Sequence, residues 1–395
     1  MSATAMPTPR STLLPYGRQC VDEEDIAAVV AVLRSDWLTT GPMVEQFERA
    51  FAEFTGCAHA VAVANGTAAL HAAMAALGVG PGDEVIVPAI TFVASANCVV
   101  YQGGTPVFAD VEADTLLTDP ADVERKITPR TKAIIAVDYA GQPCDYEALR
   151  AIAGRHRLPL VADACHALGG AWRGQPVGSL ADLSTFSLHP VKPITSGEGG
   201  VVVTHDAELA ARLRTFRNHG IATDFRQREK QGSWAYEMVQ LGYNYRLSDI
   251  QCALAASQLR KLPGWITRRQ EIAALYDAAF SGAQTLRPLA VRAGASHGYH
   301  LYVIRLADGV DRSACFQALR AEKIGVNVHY APVHLHPFHR ERFGTGPGLC
   351  PIAEAASQQI LSLPIFPAMT DADVQSVIDA VFHVCAASAA GSVGT

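Results

Sequence analysis

Charge is scarce in this chain of 395 residues. Charged side chains make up 18% of it, against the roughly 25% of an ordinary soluble domain. Neither sign dominates: 32 Lys and Arg against 38 Asp and Glu leave a formal net charge of −6. With no basic stripe, nothing electrostatic recommends nucleic acid as a partner. No apolar run approaches the roughly 18 residues of a membrane helix, and the stretch from Met1 to Gln19 has no signal-peptide-like apolar segment. The nine cysteines, scattered from Cys20 to Cys385, include no CxxC pair. An odd, unpatterned set in a chain this long reads as reduced thiols, so the expected setting is the cytoplasm, away from any membrane. Repeats, heptads and low-complexity tracts are also missing.

What is present is apolar mass. The hydrophobic fraction is 49%, enough to offset the ordering entropy that keeps polar chains disordered. The length suits two to three domains' worth of chain. Between about Ala60 and Thr204, short apolar runs alternate with helical patterns. Strands are expected at His59–Ala64, Glu84–Pro88, Pro106–Asp110, Lys132–Ala136, Leu158–Asp163, Leu183–Ser187 and Gly200–Thr204. Helices are expected at Thr67–Leu77, Phe92–Tyr101, Tyr146–His156 and Asp206–Asn218, followed by an irregular polar stretch, Ile221–Gln240. Strands apolar throughout mark a parallel sheet covered on both faces, hence an α/β domain.

A helix capped at Ser248 is expected to break at Leu262-Pro-Gly264, which places a domain boundary there. Residues 1–262 would form the large domain with an N-terminal arm, and 263–395 a smaller α+β domain. The latter would hold a helix to about Phe280, strands Tyr299–Leu306 and Gly325–Val328, a helix Arg312–Glu322, and a final helix from Asp371 to about Val384. The tail beyond is expected to fray.

Four separated segments carry the chemistry. Asn65-Gly-Thr-Ala-Ala-Leu70 sits on a strand-to-helix turn, where free N–H groups, the helix dipole and the Thr67 hydroxyl can meet a phosphate. Val161-Ala-Asp-Ala-Cys-His166 puts a carboxylate at the end of an apolar strand, where α/β sheets bind ligands, and such a group needs a cationic partner. Ser187-Leu-His-Pro-Val-Lys192 places one lysine among apolar, Pro and Gly neighbours, which lowers its pKa and frees its amine as a nucleophile. Gly242-Tyr-Asn-Tyr-Arg246 precedes the capped helix. A phosphate cradle, a strand-end Asp and an activated Lys 29 positions after it are the parts a pyridoxal 5′-phosphate (PLP) site requires.

On these residues the chain resembles the DegT/DnrJ/EryC1/StrS family of sugar aminotransferases, fold-type-I enzymes of the aspartate aminotransferase class. The likeness runs from about Leu14 to Val384 and includes Trp37-Leu-Thr-Thr-Gly-Pro42, Glu198-Gly-Gly200 and Ser362-Leu-Pro364. Phe92-Val-Ala-Ser-Ala-Asn-Cys98 and His329-Tyr-Ala-Pro-Val-His-Leu-His-Pro337 are most similar to the pseudaminic-acid branch. There a UDP-linked 4-keto-6-deoxy-N-acetyl sugar receives an amine at C4.

The resemblance implies a mostly parallel, seven-stranded-type sheet in the large domain and a homodimer with shared active sites. It makes Lys192 the lysine that bonds the cofactor and moves the proton, and Asp163 the partner of the pyridine nitrogen. Gly66, Thr67 and Ser187 would hold the phosphate, with Asn244 reaching it from the neighbouring subunit. Phe92 would lie against the ring. His166, where many relatives carry Gln, would meet the ring hydroxyl, and His189 and His329 would line the sugar pocket. The implied substrates are L-glutamate and a nucleotide-linked keto sugar.

Rivals are weaker. A sugar dehydratase of the same fold would replace Lys192 by His, and a non-catalytic regulator would not need Lys192, Asp163 and Thr67 together. Transfer to another nucleotide sugar (dTDP or GDP, C3 or C4) stays open. Prolines interrupt the cluster His329, His334, His336 and His339, which argues against a metal site. Cys165 reads as a small buried filler.

Overall fold

The computed structural model describes residues 10–223, 225–230 and 232–391. A seven-stranded sheet organises the first two-thirds of the chain. Its strands are β1 (His59–Val63), β2 (Glu84–Pro88), β3 (Thr105–Ala109), β4 (Thr131–Val137), β5 (Leu160–Asp163), β6 (Leu183–Ser187) and β7 (Gly200–Thr204), in the spatial order β1-β7-β6-β5-β4-β2-β3. Only β7 runs antiparallel to its neighbours. Val61–Val63, Val85–Val87, Ile134–Ala136 and Val201–Val203 are almost wholly buried, as expected for strands covered on both faces. Each fully buried Val or Ile is worth about 1.5–3 kcal/mol, so the sheet and its covering helices hold most of the apolar burial.

A second, smaller core gathers Ile272, Tyr276, Phe280, Ile304, Leu319 and Val381. It is built on a three-stranded antiparallel sheet of Leu286–Pro288, Tyr302–Leu306 and Ile360–Leu363. The Arg312–Ala321 and Asp371–Gly391 helices pack together beside it. Leu14, from the N-terminal segment, joins this core.

Several expected boundaries shift. The helix capped at Ser248 has the full capping box, Ser248 to Gln251, but it does not break at Leu262. It runs from Asp249 to Phe280 through Pro263. Leu259, Leu262 and Ile266 bury in the first core, and Ile272, Tyr276 and Phe280 in the second. Six anchored side chains outweigh the roughly 3 kcal/mol that an interior proline costs. The Ile221–Gln240 stretch contains a short helix, Phe225–Lys230.

Gly325–Val328 is not a strand but a pair of isolated bridges, Ile324 to Leu14 and Asn327 to Ser362. The last helix continues past Val384 to Gly391, because Ala386-Ala-Ser-Ala-Ala390 has high helix propensity. Residues 392–395 of the tail, like the arm's first nine residues, lie outside the described residues. Among the described residues, no helix is long and apolar enough to cross a membrane.

Candidate active site

The carboxyl ends of the parallel strands open onto one cavity of about 650 Å³, where α/β folds bind ligands. Gly66 and Thr67 follow β1, Thr91 and Phe92 follow β2, Val137 ends β4, Asp163 ends β5 and Ser187 ends β6. Cys165, His166, His189 and Lys192 line it from the loops beyond. His300 and the segment from Asn327 to Tyr330 line it from the last third of the chain, and the N-terminal segment contributes Tyr16. Nine of the ten site residues expected from sequence therefore share one space. Asn244 does not line it: it is exposed in a bridge to Asn218.

The turn after β1 is shaped for an anion. Asn65 caps the Gly66–Ala76 helix, its side chain accepting from Ala68 N at 2.8 Å, and its carbonyl accepts from Ala69 N. Of the four N–H groups a helix start leaves without intrahelical partners, the cap takes that of Ala68, and those of Gly66 and Thr67 are among the three that remain. A Cβ on Gly66 would stand 2.9 Å from Ser187 Cβ, and one on Gly200 would stand 2.3 Å from the Asn65 carbonyl oxygen. Both glycines are thus required by close approach. The cradle has room for a phosphate only because those side chains are missing.

Asp163 is buried at 6% exposure. Ser95 Oγ donates to its Oδ2 at 2.6 Å, Thr91 Oγ1 lies 2.6 Å from Ser95 Oγ, and Cys165 N donates to Oδ1 at 3.3 Å. No basic side chain forms an ion pair with it among the described residues. A buried carboxylate with neutral donors only still calls for a cationic partner, and a protonated pyridine nitrogen is one.

Lys192 sits in a turn closed by its N–H to the His189 carbonyl. Burial lowers its pKa, against the charges of Cys165 and Asp163. Its Nζ lies 3.5 Å from His300 Nε2. The His300 and His166 rings are 4.5 Å apart, and His166 Nε2 is 3.0 Å from Tyr330 Oη. Burial holds both imidazoles well below their ordinary pKa, with the Lys192 charge adding to it, so both are neutral. His166 Nδ1 is buried without a partner, a free valence in the position from which a ring hydroxyl would be bonded. The residues present therefore fit PLP.

His329 is held by Ser362 Oγ at 2.8 Å from its Nδ1, and burial pushes its pKa down to about 4. His334 turns away to Glu354 at 2.9 Å, so the histidine-rich segment is divided between two environments. Burial, then Asp163, raises the Cys165 thiol well above its usual range. That suits a filler and not a nucleophile. Sequence reading missed Ser95, His300 and Tyr330. Ser95 lies inside a helix with no unusual spacing, while His300 and Tyr330 are distant in sequence and reach the cavity only through tertiary packing, Gly298 N and Leu301 N bonding to the Gly141 and Ala140 carbonyls.

This fold and this site together define a PLP-dependent aminotransferase of fold type I. The chain belongs to the DegT/DnrJ/EryC1/StrS aminotransferase family, whose pattern matches residues 19–382. It is 41% identical over 377 residues to the spore coat polysaccharide biosynthesis protein SpsC of Bacillus subtilis, covering 94% of this chain and 97% of that protein. The PLP form of Spr1654 from Streptococcus pneumoniae superposes with a TM-score of 0.90 at 33% identity, over 95% of this chain and 99% of the other. PseC of Helicobacter pylori, an aminotransferase in the biosynthesis of pseudaminic acid, gives 0.89 at 34% identity, over 95% and 100%. The protein is accordingly a sugar aminotransferase of nucleotide-sugar and polysaccharide biosynthesis.

Proposed function

We propose that the enzyme moves the amino group of L-glutamate onto a UDP-linked 4-keto-6-deoxy-N-acetyl sugar at C4, in the cytoplasm, as a homodimer. The observation that carries this reading is the meeting, in one cavity, of Asp163, Lys192 and the Gly66–Thr67 helix start. Likeness to PseC, an aminotransferase of pseudaminic-acid biosynthesis, supports the sugar and the position.

PLP, when bound, supplies an electron sink for the bond changes at the amine-bearing carbon. The chain does the rest. Asp163, oriented by Ser95, would keep the pyridine nitrogen protonated. Gly66, Thr67 and Ser187 would hold the phosphate and so fix the ring's place. Phe92, more than half exposed at 56% and lining the cavity, would lie against the ring, and His166 would meet its hydroxyl. Lys192 would be the residue that bonds the cofactor at rest. Once free, its Nζ would take and return the proton, and burial, which lowers its pKa, makes the neutral form easier to reach. His189 and His329 border the space left for the sugar. Asn244, outside its own chain's cavity, completes the phosphate site of a second copy.

The test is an absorbance spectrum of the PLP-loaded protein before and after L-glutamate, with Lys192→Ala alongside. The expected result is loss of a visible band in favour of the near-ultraviolet band of the pyridoxamine form, with the variant lacking that change. A screen of UDP-, dTDP- and GDP-linked keto sugars for return of the visible band then assigns the acceptor. A preference for a dTDP or GDP sugar, or for a C3 ketone, would overturn the finer assignment.

A further inference from the structure

We propose that His300 is a positioning residue for Lys192, its Nε2 accepting a hydrogen bond from the Lys192 ammonium and holding Nζ against the cavity wall. The inference rests on Lys192 being the cofactor lysine, and it adds a residue that the sequence motifs do not contain.

Four observations carry it. Among the described residues, the 3.5 Å contact to His300 Nε2 is the one hydrogen bond that Lys192 Nζ makes. His300 is 4% exposed and its ring packs 4.5 Å from that of His166, tilted by 48°, so it cannot swing away freely. Its Nδ1 is buried without a partner. An unpaired buried polar atom costs about 1–3 kcal/mol, and an apolar side chain there would avoid that cost. His300 is therefore explained by what Nε2 does and not by packing.

An ammonium can only donate, so Nε2 must be the acceptor and the ring's single proton sits on Nδ1. Lys192 faces Asp163 and Cys165 as well as His300, while His300 also faces His166, His329 and Arg269. With three imidazoles neutral and Arg269 turned to the Tyr299 and Ile365 carbonyls, Nε2 is the nearest acceptor for Nζ. A lysine freed from its cofactor has four rotatable carbons and no fixed direction. Holding Nζ in place shortens the search for the carbon it must protonate.

The test uses the full chain stripped of cofactor. Cyanate carbamylates neutral amines, and mass spectrometry of the Lys192 peptide across pH gives the midpoint of Lys192, with exposed Lys323 as internal reference. In His300→Phe the ammonium loses its acceptor, so the Lys192 midpoint should fall by about half a pH unit, an about threefold faster reaction below it. His300→Gln, whose carbonyl accepts, should restore most of the difference. The rate of the glutamate half-reaction at saturation should fall in His300→Phe while the half-saturating concentration stays put. An unchanged or raised midpoint overturns the proposal, as does an equal loss in both kinetic parameters.

Should His300→Phe fail to fold, Lys192→Ala is read instead. The His300 ring resonances should move when its partner is removed, and unmoved resonances overturn the contact. Failure of the parent reading is separate: Lys192→Ala would then keep the visible band, whatever the carbamylation shows.

Discussion

Ser95 Oγ donates a 2.6 Å hydrogen bond to Asp163 Oδ2, and Thr91 stands behind Ser95 at the same distance. The bond joins the helix after β2 to the end of β5, and it sets the plane of the carboxylate on which the cofactor's ring nitrogen would rest. A hydrogen bond to a charged group is worth about 1.5–3 kcal/mol. Ser95→Ala should therefore weaken PLP binding about tenfold while leaving the Lys192 band in place. Asp163→Ala should lower the glutamate half-reaction by at least about a hundredfold, because the electron sink itself is lost. Equilibrium dialysis and stopped-flow absorbance measure the two.

The two glycines of the phosphate cradle should fail differently. In Gly66→Ala the new Cβ meets Ser187 Cβ at 2.9 Å and Oγ at 3.2 Å. Ser187 can turn, but only into the space a phosphate needs. The expected variant is folded, with thermal stability near that of wild type and PLP affinity reduced about tenfold or more. Gly200→Ala drives its Cβ to 2.3 Å from a backbone oxygen, where nothing can give cheaply. About 1–3 kcal/mol of stability should go, seen as a lower denaturation midpoint even without cofactor.

A buried carboxyl behind the site gives a pH signature. Asp138 is fully buried, its Oδ1 accepting from Cys144 N and Tyr146 Oη at 2.9 Å each while Oδ2 has no partner. Burial, with the Asp163 charge adding to it, raises its pKa to about 7. The folded state thus holds a proton that the unfolded chain releases near pH 4. That contribution is complete below pH 4 and is lost as pH rises through 7. The cofactor-free protein should lose a few kcal/mol over that window from this residue. Asp138→Asn should flatten the decline and be the more stable form at pH 8, and urea midpoints at pH 5 and 8 decide it.

What could be read in the sequence follows from where each signal is stored. That Asp163, Lys192 and Thr67 line one cavity could be anticipated because strand end, loop and helix start are local patterns, each inside a few residues. The parallel sheet was legible for the same reason, in strands apolar on both faces. His300 lies 108 positions from Lys192, and only tertiary packing, with Leu301 N bonded to the Ala140 carbonyl, brings the two together. Pro263 misled because its local rule is sound but weaker than two cores packing on one helix. Asn244 could be noticed in its motif, but nothing local says that it leaves its own cavity.

That last residue supports the final prediction. Trp234, Tyr236, Met238 and Leu241 are between 61% and 89% exposed on the segment leading to Asn244. Large apolar side chains this exposed are the kind of surface a second chain covers. If a second copy covers it and Asn244 completes the neighbour's phosphate site, Asn244→Ala should bind PLP more weakly although its own cavity is untouched. Leu241→Asp should yield monomers with the same defect, read by light scattering together with PLP titration. Mixing gives the sharper result. Lys192→Ala lacks the cofactor lysine and Asn244→Ala lacks the reaching amide, so each homodimer is impaired at limiting PLP. In a hybrid dimer one site takes Lys192 from one subunit and Asn244 from the other, and is whole. After random reassociation about a quarter of all sites should be restored, because half the dimers are hybrids with one good site each. Activity equal to the plain average of the two variants would mean that every site is built from a single chain.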